Sequence, residues 1–159
     1  AQAAPTGVIV LGAAKFTISA PVASPVTIRT EKAAVIDGLN NGTAMIVQAD
    51  AVFENLQFTM GKSEGYGGGV TVENGSAPVF RHCTFVRNVA VMGAGAAVRD
   101  AARPLFEHCT FEHNVAKLDG GGILVADTAE PVFRHCSIKI NYAGERGGAV
   151  AIMDKAEPV

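Results

Sequence analysis

Apolar residues recur along this chain in short bursts at a fixed spacing. No long segment shows the 3.6-residue period of an amphipathic helix. The bursts are near copies of one another: PVFRHCTFVRN from Pro78, PLFEHCTFEHN from Pro104, PVFRHCSIKIN from Pro131, and the looser AVFENLQFTMG from Ala51. Start to start they lie 27, 26 and 27 residues apart. A period of this size marks a solenoid, in which each repeat buries its apolar face only against its neighbours.

With the Pro as position one, the inward columns follow from residue type. Position three is Phe53, Phe80, Phe106 and Phe133, position six is Leu56, Cys83, Cys109 and Cys136, and position eight is Phe58, Phe85, Phe111 and Ile138. Positions three and six differ in parity, so a straight strand cannot bury both. A bend is therefore predicted at positions four and five. Position five is Asn55, His82, His108 and His135, and Asn and His are enriched at positive φ. Position eleven, Gly61, Asn88, Asn114 and Asn141, is read the same way, as a second left-handed corner whose stacked amides hydrogen-bond along the axis.

A glycine cluster follows in each unit: 67–69, 93–95 (with Ala94 in the middle), 120–122 and 147–149 (ending in Ala149). Each cluster leads into a short apolar strand, at 70–72, 96–98, 123–125 and 150–152. Asn74, Asp100, Asp127 and Asp154 then open turns. Before Ala51 the pattern is less regular, with strands expected at 8–11, 15–18, 26–28, 35–38 and 44–47. The reading is one all-β domain, a parallel β-helix of about six coils with three short strands each. Residues 1–50 form irregular coils, 51–157 the regular repeats, and 158–159 open a further repeat.

Composition narrows the function. No apolar run reaches the length of a membrane-spanning helix. A net charge of −2, dispersed along the chain, gives no footing for nucleic acid or an anionic membrane surface. Trp is absent and aromatics are 6%, which argues against a sugar-stacking lectin site. The opening AQAAPTG is either the small-residue stretch left by signal-peptide cleavage or an arbitrary boundary.

Phe85-Val86-Arg87-Asn88 and Phe111-Glu112-His113-Asn114 are FxxN motifs, and Ile138-Lys139-Ile140-Asn141 is a variant. Gly121-Gly122-Ile123-Leu124 and Gly147-Gly148-Ala149-Val150 are GGxx motifs. Their alternation resembles the polymorphic outer-membrane protein repeat. Together with Val26-Thr27-Ile28-Arg29 and Val35-Ile36-Asp37-Gly38, it resembles the right-handed parallel β-helices of the pectate-lyase-like superfamily. The resemblance implies a right-handed coil and a secreted or cell-surface location. That fold hosts lyases, epimerases, adhesins and inert shafts alike. The β-barrel translocator and helical cap found in such proteins are not visible here.

Candidate chemistry is sparse. Cys83, Cys109 and Cys136 share one inward column, where parallel Cβ vectors about 4.8 Å apart disfavour disulfides. They are expected as a free-thiol ladder. His82, His108 and His135 stack outside and are weak metal candidates; no metal site is expected. Glu54, Arg81, Glu107 and Arg134 alternate in sign along the surface. No catalytic set is identified. Lyases of the resembled superfamily need clustered carboxylates for calcium and a basic proton acceptor. The nearest match is Glu64, Asp119 and Glu145 in the loops before the glycine strands, with Lys62, Lys117 and Arg146 nearby. Calcium or a surface glycan is the ligand considered there. The expected function is a structural or adhesive secreted solenoid. The alternative is a carbohydrate-active β-helix enzyme or a sugar-binding fragment of one. Its partner is either a longer chain that continues it or a second copy. In the latter case the coil after Pro158 meets the strand near Val8 of the next protomer, building a filament.

Overall fold

The computed structural model describes residues 7–159, so most of the small-residue opening lies outside the described residues. Every described element is a strand, and every strand pairing is parallel. The chain winds as a solenoid in which equivalent residues of successive coils are hydrogen-bonded partners. Phe53 pairs with Phe80, Phe80 with Phe106, and Phe106 with Phe133. One residue more or less per turn would flip each apolar column to solvent. The spacing of the copies is therefore the register of the fold.

Each coil has three faces. The first holds the bent pair, such as Val79–Arg81 and Thr84–Val86, and the third holds the strand after the glycines, such as Ala96–Val98. Between them runs a strand on the second face: Lys62–Tyr66, Val89–Met92, Val115–Ala116 and Tyr142–Ala143. The sequence reading left this segment unassigned because its inward residues are mostly small and its outward residues are mixed. The faces carry ten, four and five strands, and the winding completes about five turns. In the irregular N-terminal part, the segments expected at 26–28 and 35–38 are one strand, Thr27–Asp37. Its register shifts between Arg29 and Ala34, so extra residues bulge out without interrupting the rung.

The core is a file of stacked rings. Phe53, Phe80, Phe106 and Phe133 lie face to face at 4.8, 4.9 and 5.3 Å. Phe58, Phe85 and Phe111 stack at 4.9 and 4.5 Å, and the two files meet edge to face. The ring quadrupole favours the edge-to-face contacts, and favours stacking only when the rings are offset.

The first corner has the left-handed backbone inferred for it. Asn55, His82, His108 and His135 have φ of 59°, 51°, 53° and 51°. The second corner requires a correction. The left-handed residues there are Met60, Arg87, His113 and Ile140, with φ of 54°, 56°, 55° and 54°. They stand one position before Gly61, Asn88, Asn114 and Asn141, and the three asparagines turn inward instead. The Asn is selected by its amide rather than by its tolerance of positive φ. The buried corner leaves main-chain groups that only a side chain can satisfy.

The His corner is testable. His108→Asn keeps a residue that tolerates the left-handed region and should change stability by less than about 0.5 kcal/mol. His108→Val should cost about 1–3 kcal/mol. Urea denaturation of the two variants checks this; equal midpoints would remove the conformational explanation.

Candidate functional site

Four surfaces carry the candidate chemistry: the loops before the glycine strands, the His column, a groove near the N-terminal coils, and the end rung.

The loop acids do not form a ligand set. Glu64 lies exposed on the second-face strand Lys62–Tyr66, and Glu145 is also exposed. Asp119 is 1% exposed and already engaged. Arg146 Nε and Nη2 donate to its two carboxylate oxygens at 3.0 and 2.9 Å. These two residues sit on adjacent rungs as a parallel bridge, 27 positions apart, so the repeat period itself could have paired them. The Arg146 guanidinium, hydrogen-bonded to the carboxyl, holds Asp119 below the ordinary carboxylate range, although burial opposes the shift. Asp119 therefore contributes stability that is present above its unfolded-state pKa. That stability is lost as pH falls from about 4 through the folded value. Relative to Asp119→Asn, the parent chain should lose stability more steeply below pH about 4. Parallel curves in pH-dependent denaturation would count against the pairing.

Along the His column, rings of His82 and His108 stack at 5.0 Å, and those of His108 and His135 at 4.9 Å. All three are exposed. Among the described residues, no group of three or more His, Cys, Asp or Glu side chains is arranged to hold a metal ion. The neighbouring charge column forms a short surface network, with Arg81 bridging Glu54 at 3.3 Å and Glu107 at 3.2 Å.

The thiols add hydrogen bonds to packing. Sγ of Cys83, Cys109 and Cys136 donates to the carbonyl of Phe53, Phe80 and Phe106 at 3.5, 3.4 and 3.3 Å. Each of those carbonyls belongs to the preceding coil, beside the bend where the strand ladder is interrupted. None of the three cysteines is in a disulfide. The neighbouring Cys136 thiol lowers the Cys109 pKa, but the Cys83 thiol and burial outweigh it and push the Cys109 thiol up to about 12. Cys136 is raised too, chiefly by the neighbouring Cys109 thiol and then by burial. The thiolate is the reactive form. Alkylation of Cys109 at pH 8 should therefore be negligible in the folded chain and complete in denaturant. Rapid native labelling, read by mass spectrometry, would contradict this.

Two features go beyond the sequence reading, which had Asp100, Asp127 and Asp154 only as turn openers. Asp100, Asp127 and Asp154 form a column in which the Asp100 N–H donates to Asp127 at 3.1 Å and the Asp127 N–H to Asp154 at 3.3 Å. Their 27-residue spacing was the available signal. The second is a groove of about 400 Å³ lined by Lys15, Asp37, Asn40, Gln57, Thr59 and Arg87, among others. The Asp37 carboxylate is nearly buried, pairs with Lys15 at 3.3 Å, and accepts the Leu39 N–H at 2.9 Å. Nothing periodic marks this site, because it forms where the irregular coils meet the regular ones.

At the C-terminal end the core columns run on to Phe133, Cys136, Ile138 and Val150. These are only partly buried, whereas their predecessors Phe106, Cys109, Phe111 and Ile123 are at most 1% exposed. The Phe133 N–H donates to the Val159 carbonyl at 2.8 Å, and the Val159 N–H to the Pro131 carbonyl at 2.9 Å. The rung-to-rung ladder thus extends one step past the last complete coil.

In-register parallel strands, stacked rings and an inward amide ladder define a parallel β-helix. A family model described as a right handed beta helix region matches residues 23–159, and the chain belongs to that family. No curated protein and no solved structure matches it.

Proposed function

We propose that this chain is a segment of a rigid β-helical shaft, secreted or displayed at a cell surface, with a structural or adhesive role. The observation that carries the reading is the in-register stack itself: Phe53, Phe80, Phe106 and Phe133 pair rung to rung, and each coil is held by its neighbours, which builds a stiff solenoid. The motifs resembling polymorphic outer-membrane protein repeats support the extracytoplasmic location. In this reading the faces of the shaft, not a buried pocket, meet partners such as surface glycans.

The groove at Asp37 favours a second reading, a carbohydrate-binding or carbohydrate-active β-helix. It combines a nearly buried carboxylate with Lys15 and Arg87, groups suited to a sugar acid. One set of assays separates the two. The shaft reading expects no turnover of pectate or alginate. Polysaccharide cleavage abolished by Asp37→Asn would replace the shaft reading with the enzymatic one.

A further inference from the structure

One coil departs from the repeat at two positions of the same turn. Val72 pairs with Val98, Val98 with Val125, and Val125 with Ile152. The turn Asn74-Gly75-Ser76 therefore stands in register with Asp100-Ala101-Ala102, Asp127-Thr128-Ala129 and Asp154-Lys155-Ala156. The first residue is left-handed in all four, with φ of 60°, 53°, 59° and 59°. The third position is small and buried: Ala102 and Ala129 are 0% exposed and Ser76 is 5% exposed.

Turn geometry accounts for only part of this departure. Gly75 also has a positive φ, of 65°, and two successive left-handed residues select Asn followed by Gly. Nothing in the turn calls for Ser76. Its hydroxyl donates to the Glu73 carbonyl at 2.8 Å, which already accepts the Ser76 N–H at 3.3 Å. Ala102 and Ala129 close the same turn with the main-chain bond alone, to the Arg99 and Ala126 carbonyls at 3.1 and 3.2 Å. A hydroxyl thus occupies an alanine column where the fold does not use it.

The departure creates Asn-Gly-Ser. Asn, any residue but Pro, then Ser or Thr is the acceptor signal for N-linked glycosylation of secreted chains. Asn41-Gly42-Thr43 is a second instance. Asn41 and Asn74 are both exposed, and neither side-chain amide bonds to another described residue. The buried corner residues Asn88 and Asn114 leave no room for a sugar, and they have Ala90 and Ala116 two positions on. The signal occurs where a glycan has space.

Resting on the secreted or cell-surface location read above, we infer that Asn74 and Asn41 carry N-linked glycans. The donor is an oligosaccharide on a polyprenyl pyrophosphate. The Asn Nδ2 bonds to the anomeric carbon as that carbon's bond to the pyrophosphate oxygen breaks. The lipid pyrophosphate leaves with the electron pair, and the amide gives up one proton. Transfer reads the hydroxyl two residues on. Because Ser76 is buried once its turn closes, transfer at Asn74 precedes folding of that coil. In the folded chain both glycans project from exposed turns and leave the stacked core undisturbed.

The test recovers the chain from its natural source and records the cellular fraction that holds it. Mass spectrometry then reads the peptides containing Asn41 and Asn74 before and after peptide N-glycosidase F. The expected chain is extracellular or surface-bound, with added sugar mass at both sites that the enzyme removes, leaving Asp. Ser76→Ala should abolish modification at Asn74 and preserve it at Asn41. The same variant, made in a host without the transferase, should keep the urea midpoint of the unmodified parent, because it restores the repeat's own alanine. A fall in that midpoint would give Ser76 a structural purpose and remove the argument. An extracellular chain bare at both sites would overturn the inference and leave the location intact. A chain found only inside the cell would overturn the location itself, and the inference with it.

Discussion

Asn114→Ala should destabilise the chain by about 3–5 kcal/mol, more than removal of a side chain of its size accounts for. Its amide Nδ2 donates to the Phe85 carbonyl and to Asn141 Oδ1, both at 2.9 Å. Its Oδ1 accepts the N–H and the Nδ2 of Asn88, both at 3.1 Å. Asn88 and Asn114 are fully buried. The alanine variant strips partners from the Phe85 carbonyl and the Asn88 N–H, where no water reaches, and each orphaned buried group costs about 1–3 kcal/mol. The ladder also couples coils, because Asn88 in turn satisfies the Gly61 N–H at 3.0 Å and the Phe58 carbonyl at 3.1 Å. Urea unfolding of Asn114→Ala beside Thr110→Ala, which removes an outward side chain of the same rung, measures the difference. A loss below about 1 kcal/mol for Asn114→Ala would mean that the corner finds other partners.

Repetition is what made the fold legible. A single apolar burst such as that from Pro78 fits several structures. The same burst with Phe, Cys and Phe in fixed columns fits only stacked coils, and the buried columns are those of positions three, six and eight. Where repetition fades, legibility fades with it. The extra residues between Arg29 and Ala34 occur in one coil, so nothing in the repeat announces that Thr27–Asp37 is continuous. The second corner was misread for a different reason. Asn is chosen both by left-handed backbone and by the need for an amide, and residue type does not separate the two. The residues that actually adopt positive φ there are Met60, Arg87, His113 and Ile140, which have no chemistry in common. Met60 takes this conformation before Gly61 and the other three before an inward Asn, so it belongs to the corner and not to the residue that follows.

The candidate chemistry was less legible than the fold because it depends on contacts between rungs. Asp119 looks like a free loop acid until Arg146, one period on, is placed beside it. The Asp37 groove depends on Lys15 and Arg87, which are far apart in sequence and belong to different coils. No spacing rule joins them, since one belongs to the irregular start and the other to the regular repeats.

Phe106→Ala should cost about 3–5 kcal/mol, the range for truncating a buried aromatic in a core that cannot collapse around it. The ring is fully buried. It is held between Phe80 at 4.9 Å and Phe133 at 5.3 Å, with Phe85 and Phe111 edge-on at 5.9 and 5.5 Å. The main-chain ladder fixes the rung spacing, so neighbouring coils cannot close the gap. Phe133→Ala should cost roughly half as much or less. Phe133 stacks on Phe106 alone among the file, and its other face is open. The location of the damage should differ as well as its size. In a solenoid each coil is held by its neighbours, so the Phe106 variant weakens the stack on both sides, while the Phe133 variant frays only the last coil. Hydrogen exchange of the two variants reads both effects, with lost protection expected in the strands around Phe80 and Phe133 for the first and at 132–143 alone for the second. Equal cost and equal spread would show that the end rung is as well covered as the interior. Stacking a further coil on Phe133 should produce that same outcome, raising the cost of Phe133→Ala to that of Phe106→Ala.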